Sequence, residues 1–156
     1  WFFGSAPGEV GTLLGSCVAM VVWHPVLRCG GLCHYLLPRP AAMAQQEKPD
    51  PRYGVYALQF LRHTMEKYAP LPDYHISCFG GSDMFSGRVQ TRIGQDNIEY
   101  AQQWLHRHGL KPRHQNLGGC FSRNIVLDLG SGNIRVKRHP IETTVEPVNG
   151  NPGSGR

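Results

Sequence analysis

The chain has 156 residues, 40% of them apolar and 17% charged, with a formal charge of +5. That length and balance exclude a disordered chain and suffice for one domain with a proper core. The basic residues are spread thinly, so no nucleic-acid partner is expected, while an acidic protein surface stays open.

No apolar run reaches the 18 or so residues of a membrane span, so no membrane insertion is expected, and no signal peptide opens the chain. The first residue is Trp1, and a few residues are expected to precede it. The 19 glycines and 12 prolines favour tight turns and short strands over a helical bundle. Five irregularly spaced cysteines point to reduced thiols and a cytoplasmic location.

Residues 12–23 and 29–37 are apolar, β-prone runs, and His24-Pro25-Val26-Leu27 between them reads as a type I turn. Residues 38–50 form a long loop. Asp50-Pro51 is an N-cap followed by proline at the first helical position, and Tyr53, Tyr56, Phe60, Leu61, Met65 and Tyr68 recur at helical spacing. A helix is therefore expected over 51–68. DYHISCFGG, 73–81, reads as a strand ending in a Gly-Gly turn. A second helix covers 95–108, with Ile98, Ala101 and Leu105 on one face and Gly109 as its stop. Another strand is expected over 113–117, then a hairpin over 124–139 turning at Gly130-Ser131-Gly132. Residues 1–141 make the domain, and 142–156 are a flexible tail. The sum is an α+β fold, a layered sandwich of mostly antiparallel sheet with two main helices.

A turn centred between Pro25 and Val26 sets Cys17 directly opposite His34. Opposed residues of an antiparallel pair hold their Cβ atoms about 4.5–5.5 Å apart, within reach of a thiol–imidazole contact. A one-residue slip would send the two side chains to opposite faces. Free cysteine is among the most buried residue types, so packing alone also explains Cys17. Three features favour chemistry. Gly15-Ser16 permits a bend that frees backbone N–H groups near Cys17 for an oxyanion. A neighbouring imidazole can supply thiolate at neutral pH. The Thr12 hydroxyl could orient the other ring nitrogen of His34.

Cys29, Cys33 and His34 raise the alternative of a zinc site, but strand alternation turns His34 away from both cysteines, so no metal and no cofactor is expected. Cys78 and Cys120 read as packing or inert thiols. His106 and His108, near a helix C-terminus, read as solvated or capping residues.

TLLGSCVAMVVWHP followed by GGLCHYLLP resembles the signature of CheD, the chemoreceptor glutamine deamidase family of bacterial chemotaxis. RYGVYALQFL, FGGSDMF at 79–85, IGQDNIEYAQQWL at 93–105 and LGGCFSRNIVLDLGSGNIRVKR continue it, over roughly 10–138. The resemblance implies Cys17 as nucleophile, His34 as base and Thr12 as third member, with Gly15 and Ser16 supporting the oxyanion. It implies deamidation of receptor glutamines through a thioester, in a shallow groove with loop 38–50 as one rim, by a monomer. It also implies chemoreceptor cytoplasmic helices as substrate and a CheC-type phosphatase as a possible partner. Two alternatives stand beside it, an adaptor acting by binding alone and a hydrolase of small amides in an enclosed pocket. FGGSDMF and IGQDN match without an assigned chemistry, and Gly80, Gly81 and Asn97 read as turn or wall residues.

Overall fold

The computed structural model describes residues 1–43, 48–84 and 92–141. Among them the strands are β1 (Phe2–Ser5), β2 (Glu9–Leu14), β3 (Val18–His24) and β4 (Cys29–Tyr35), followed after α1 (Gly54–Glu66) by β5 (His75–Gly80). After α2 (Ile93–Arg107) come β6 (His114–Leu117), β7 (Phe121–Asp128) and β8 (Ile134–Pro140). A five-stranded sheet runs β1-β4-β3-β5-β6 and a three-stranded sheet runs β2-β7-β8. Only the β5–β6 pairing is parallel among those described. The α+β sandwich expected from the sequence is the observed fold.

The layering explains why β3 is apolar without alternation. A strand covered on both faces has no solvent side to mark. Val18, Met20 and Val22 join Cys33 and Tyr35 of β4 beneath Leu58, Leu61 and Met65 of α1 and Ile98 and Trp104 of α2. Ala19, Val21 and Leu32 face the other way, against Leu14, Ile125 and Leu127 of the smaller sheet. Burying one such large side chain contributes about 1.5–3 kcal/mol before entropy is counted. The smaller sheet has one packed face, and β7 alternates accordingly, with Arg123, Ile125 and Leu127 buried.

Four differences from the sequence reading have physical causes. The run 12–23 is not one strand. It breaks at Gly15–Cys17, where the chain leaves one sheet for the other, and the Gly15 and Cys17 carbonyls accept N–H groups from Ser82 and Gly81. Apolar patterning is the same on both sides of the break, so it gives no warning.

The β3–β4 loop spans Pro25–Arg28 rather than a two-residue centre, because His24 pairs with Cys29. The His24 imidazole accepts the N–H groups of Val26 and Leu27, and Arg28 adopts φ +50°. Helix α1 begins at Gly54, not Pro51. The Asp50 carboxylate is taken by the Arg52 N–H and guanidinium, the Tyr53 N–H closes a turn onto the Asp50 carbonyl (3.1 Å), and Tyr53 bridges to Leu37, so the helix starts only after this turn. Finally, β1 pairs along β4, a strand the sequence reading did not foresee. The remaining elements fall within three residues of expectation, and Gly109, at φ +64°, ends α2. The proposed tail 142–156 lies outside the described residues, as does part of loop 38–50.

Candidate active site

The loop before Cys17 is held from two sides. Ser82 N–H donates to the Gly15 carbonyl (2.9 Å) and Gly81 N–H to the Cys17 carbonyl (2.7 Å). This approach requires glycine at position 80, because a Cβ there would lie 2.1 Å from the Cys17 carbonyl oxygen and its φ is +112°. Cys17 itself is partly exposed and packs against the cluster between the two sheets.

His34 faces that same layer. The observed register sets Ala19, not Cys17, opposite His34, which corrects the direct pairing expected from the sequence. The shift is two residues, an even number, so the face is preserved. Cys17 immediately precedes β3 and becomes the diagonal neighbour of His34, and its thiol makes no hydrogen bond with Nε2.

Across the layer, Thr12 of β2 meets His34 of β4, with Oγ1 2.9 Å from Nδ1. The smaller sheet thus supplies the residue that holds the imidazole of the larger one. With Nδ1–H donating to Thr12, the lone pair sits on Nε2, the atom a general base needs. His34 Nε2 is buried and has no hydrogen-bond partner among the described residues. Cys33, by contrast, lies in the helix-facing core, on the opposite side of β4 from His34.

Burial sets the protonation states. It pushes the Cys17 thiol up, offset in part by the residue's own backbone N–H, and it pushes His34 down. The resting pair is therefore a neutral thiol and a neutral imidazole, not the preformed thiolate that a charged neighbour would give. Proton transfer must then accompany attack.

Three further residues support this loop; the sequence reading took Asn97 only as a turn or wall residue and did not single out Ser82 or Arg123. Asn97 of α2 is fully buried and its Nδ2 donates to the Ser16 (3.0 Å) and Leu36 (2.8 Å) carbonyls. Ser82 is fully buried, and its Oγ donates to the Phe121 carbonyl (2.5 Å) while its N–H holds Gly15. Arg123, also fully buried, donates to Ser82 Oγ (3.2 Å) and to the Gly118 carbonyl, and lies over the Phe121 ring. The available signal was the pair of segments FGGSDMF and IGQDN, whose contacts are long-range and invisible to periodicity.

Thr12 and His34 open onto a groove of about 480 Å³ whose walls include Phe2, Leu36, Pro51 and Arg52. Cys17 does not line it. Arg52, rather than a described residue of loop 38–50, forms the rim on that side. A separate cleft of about 290 Å³, walled by Trp23, His75 and Arg113 at the far end of β3, holds none of the three candidate residues. Of the helix-end histidines, His106 is exposed, while His108 caps α2 through Nδ1 and the Trp104 carbonyl (2.7 Å).

Known proteins share this chain's pattern. A family profile described as CheD chemotactic sensory transduction matches residues 36–138. A protein of Pseudomonas syringae pv. tomato named "Probable chemoreceptor glutamine deamidase CheD" is 38% identical over 148 residues, covering 91% of this chain and 86% of its own length. Proteins of Chromobacterium violaceum (35% identical, 88% of this chain, 73% of its own length) and Leptospira interrogans (33%, 88% and 87%) are each named "Probable chemoreceptor glutamine deamidase CheD 1". The profile begins after His34, but an alignment over 91% of the chain takes in positions 17 and 34 whichever end is left out. The chain belongs to the CheD family.

Proposed function

We propose that this protein deamidates glutamine side chains on the cytoplasmic helices of chemoreceptors, with Cys17 as nucleophile, His34 as base and Thr12 orienting His34. The observation that carries the reading is the Thr12 Oγ1–His34 Nδ1 contact of 2.9 Å between the two sheets, with Nε2 buried and without a hydrogen-bond partner among the described residues. An inert packing histidine has no need of a hydroxyl on one nitrogen and nothing on the other.

In the mechanism, His34 Nε2 removes the Cys17 proton as Sγ bonds to the amide carbon. The carbonyl oxygen becomes an oxyanion, met by backbone N–H groups at Ser16 and Cys17. His34 then gives its proton to the amide nitrogen, the C–N bond breaks, and ammonia leaves. Water attacks the thioester with His34 again as base, and the thiolate recovers its proton as glutamate is released. Because the thiol is neutral at rest, a protonated Cys17 and unprotonated His34 are the states that start the cycle.

The open groove beside His34 suits a protein side chain better than a small amide, which would need enclosure. Among the described residues no helix is long and apolar enough to cross a membrane. We place the protein in the cytoplasm as a monomer, where the receptor helices lie, with a CheC-type phosphatase as a further partner. Coupled detection of ammonia tests the reading. Receptor cytoplasmic fragments should release ammonia with the native protein and none with Cys17→Ala. A Cys17→Ala variant that restores receptor function without ammonia release would mark an adaptor instead.

A further inference from the structure

Asn97 lies in the first turns of α2, far in sequence from both Cys17 and His34, yet it touches the chain next to each. Its Nδ2 donates to the carbonyl of Ser16 (3.0 Å) and to the carbonyl of Leu36 (2.8 Å). Its own backbone carbonyl accepts the Tyr35 hydroxyl at 2.7 Å. One residue therefore holds the position before the nucleophile and the two positions after the base. Two carbonyl acceptors on one side fix the amide orientation, since the reverse flip would set oxygen against oxygen.

The Ser16 contact has a geometric consequence. The Ser16 carbonyl and the Cys17 N–H belong to one peptide unit, and in a trans peptide they point in opposite directions. Holding the carbonyl toward α2 turns the Cys17 N–H away from α2. The carbonyl of the next peptide is held independently by Gly81 N–H at 2.7 Å. With both flanking carbonyls tied, the Cys17 N–H cannot rotate without breaking a buried bond. Asn97 Oδ1 meanwhile is buried with no partner among the described residues, a desolvation cost that a residue serving packing alone would not incur.

We propose that Asn97 is a positioning residue that sets the direction of the Cys17 N–H and so preorganises an oxyanion donor. The inference rests on the deamidase reading of Cys17. Because the donor acts on charge that develops only in the transition state, its loss lowers kcat and leaves KM in place.

The test uses the full chain with Asn97→Ala and Asn97→Ser, the serine hydroxyl stopping one atom short of the Nδ2 position. Each variant is first checked for a cooperative thermal transition. Steady-state deamidation of a receptor cytoplasmic fragment is then measured beside the rate of Cys17 alkylation by iodoacetamide, a displacement at saturated carbon that forms no oxyanion. A folded variant should lose about tenfold or more in kcat, with KM and the alkylation rate within about twofold of the native values. Should alanine prevent folding, serine carries the test. A folded variant with kcat within about threefold of native overturns the inference, as does a fall in kcat matched by an equal fall in alkylation, which would report a disordered nucleophile. A native protein that alkylates at Cys17 but does not deamidate overturns the deamidase reading and this inference with it. An active native protein beside an equally active variant overturns this inference alone.

Discussion

Replacing Thr12 with valine keeps the side-chain volume and removes one oxygen, the atom 2.9 Å from His34 Nδ1. His34 Nε2 already lacks a partner, so the substitution leaves the ring with neither nitrogen bonded within the described residues. A buried nitrogen left unsatisfied costs about 1–3 kcal/mol, which for a domain of this size lowers Tm by about 2–4 °C per kcal/mol. The catalytic effect has a separate origin. With Nδ1–H donating to Thr12, the bond favours the tautomer with its lone pair on Nε2, and about 1.4 kcal/mol of lost preference corresponds to tenfold in population. Adding the loss of ring orientation, kcat should fall about ten- to hundredfold. Thr12→Ser retains the hydroxyl and should keep most of the rate. The assay is initial-rate deamidation of a receptor fragment, with thermal melts on the same samples. A Thr12→Val protein with native kcat, or a serine variant as impaired as valine, would refute the reasoning.

Four further expectations follow from the same geometry. Burial holds His34 below its ordinary 6.5, and only neutral His34 accepts a proton, so kcat/KM should fall with acid only as pH drops through a midpoint below 6.5. Burial holds the Cys17 thiol above 9.0, so the alkaline limb and the rise of iodoacetamide reactivity should both lie beyond pH 9; an alkylation rate already at its plateau at neutral pH would contradict this. Gly80→Ala puts a Cβ against the Cys17 carbonyl at φ +112° and should cost about 2–4 kcal/mol by urea unfolding, with activity lost alongside. Leu61→Ala empties a fully buried position under α1 and should cost about 2–5 kcal/mol with kcat preserved in the folded fraction.

What could be read from sequence was what depends on local pattern. Helical spacing placed both helices: Leu61, Met65, Ile98, Ala101 and Leu105 are buried, while of the other residues named for the first helix Tyr53, Tyr56 and Phe60 are half-buried and Tyr68 is exposed. The Gly130–Gly132 turn placed the β7–β8 hairpin. Register was harder, because it is fixed by how a loop closes. The His24 imidazole capping Val26 and Leu27 lengthens the β3–β4 loop, and no composition signal marks that bond. Cys17 and His34 stayed on one face only because the shift was even. The Thr12–His34 contact was legible as a possibility, since Thr12 lies five residues before Cys17 and offers a hydroxyl to the other ring nitrogen of His34. The roles of Asn97 and Ser82 were not, because their partners at Ser16, Leu36 and Phe121 are 39 to 81 residues away and are backbone carbonyls; Arg123 was not singled out, although its Gly118 partner is only 5 residues away. Backbone acceptors carry no residue identity for a sequence motif to record.

The central claim is that Cys17 performs amide hydrolysis on a receptor glutamine with His34 as its base. Intact-mass spectrometry of a receptor cytoplasmic fragment measures it directly, before and after incubation with native protein, Cys17→Ala and His34→Ala. The account predicts a gain of about one dalton per modified glutamine with native protein and none with either variant. An unshifted mass with native protein, or a shift that survives Cys17→Ala, would contradict it.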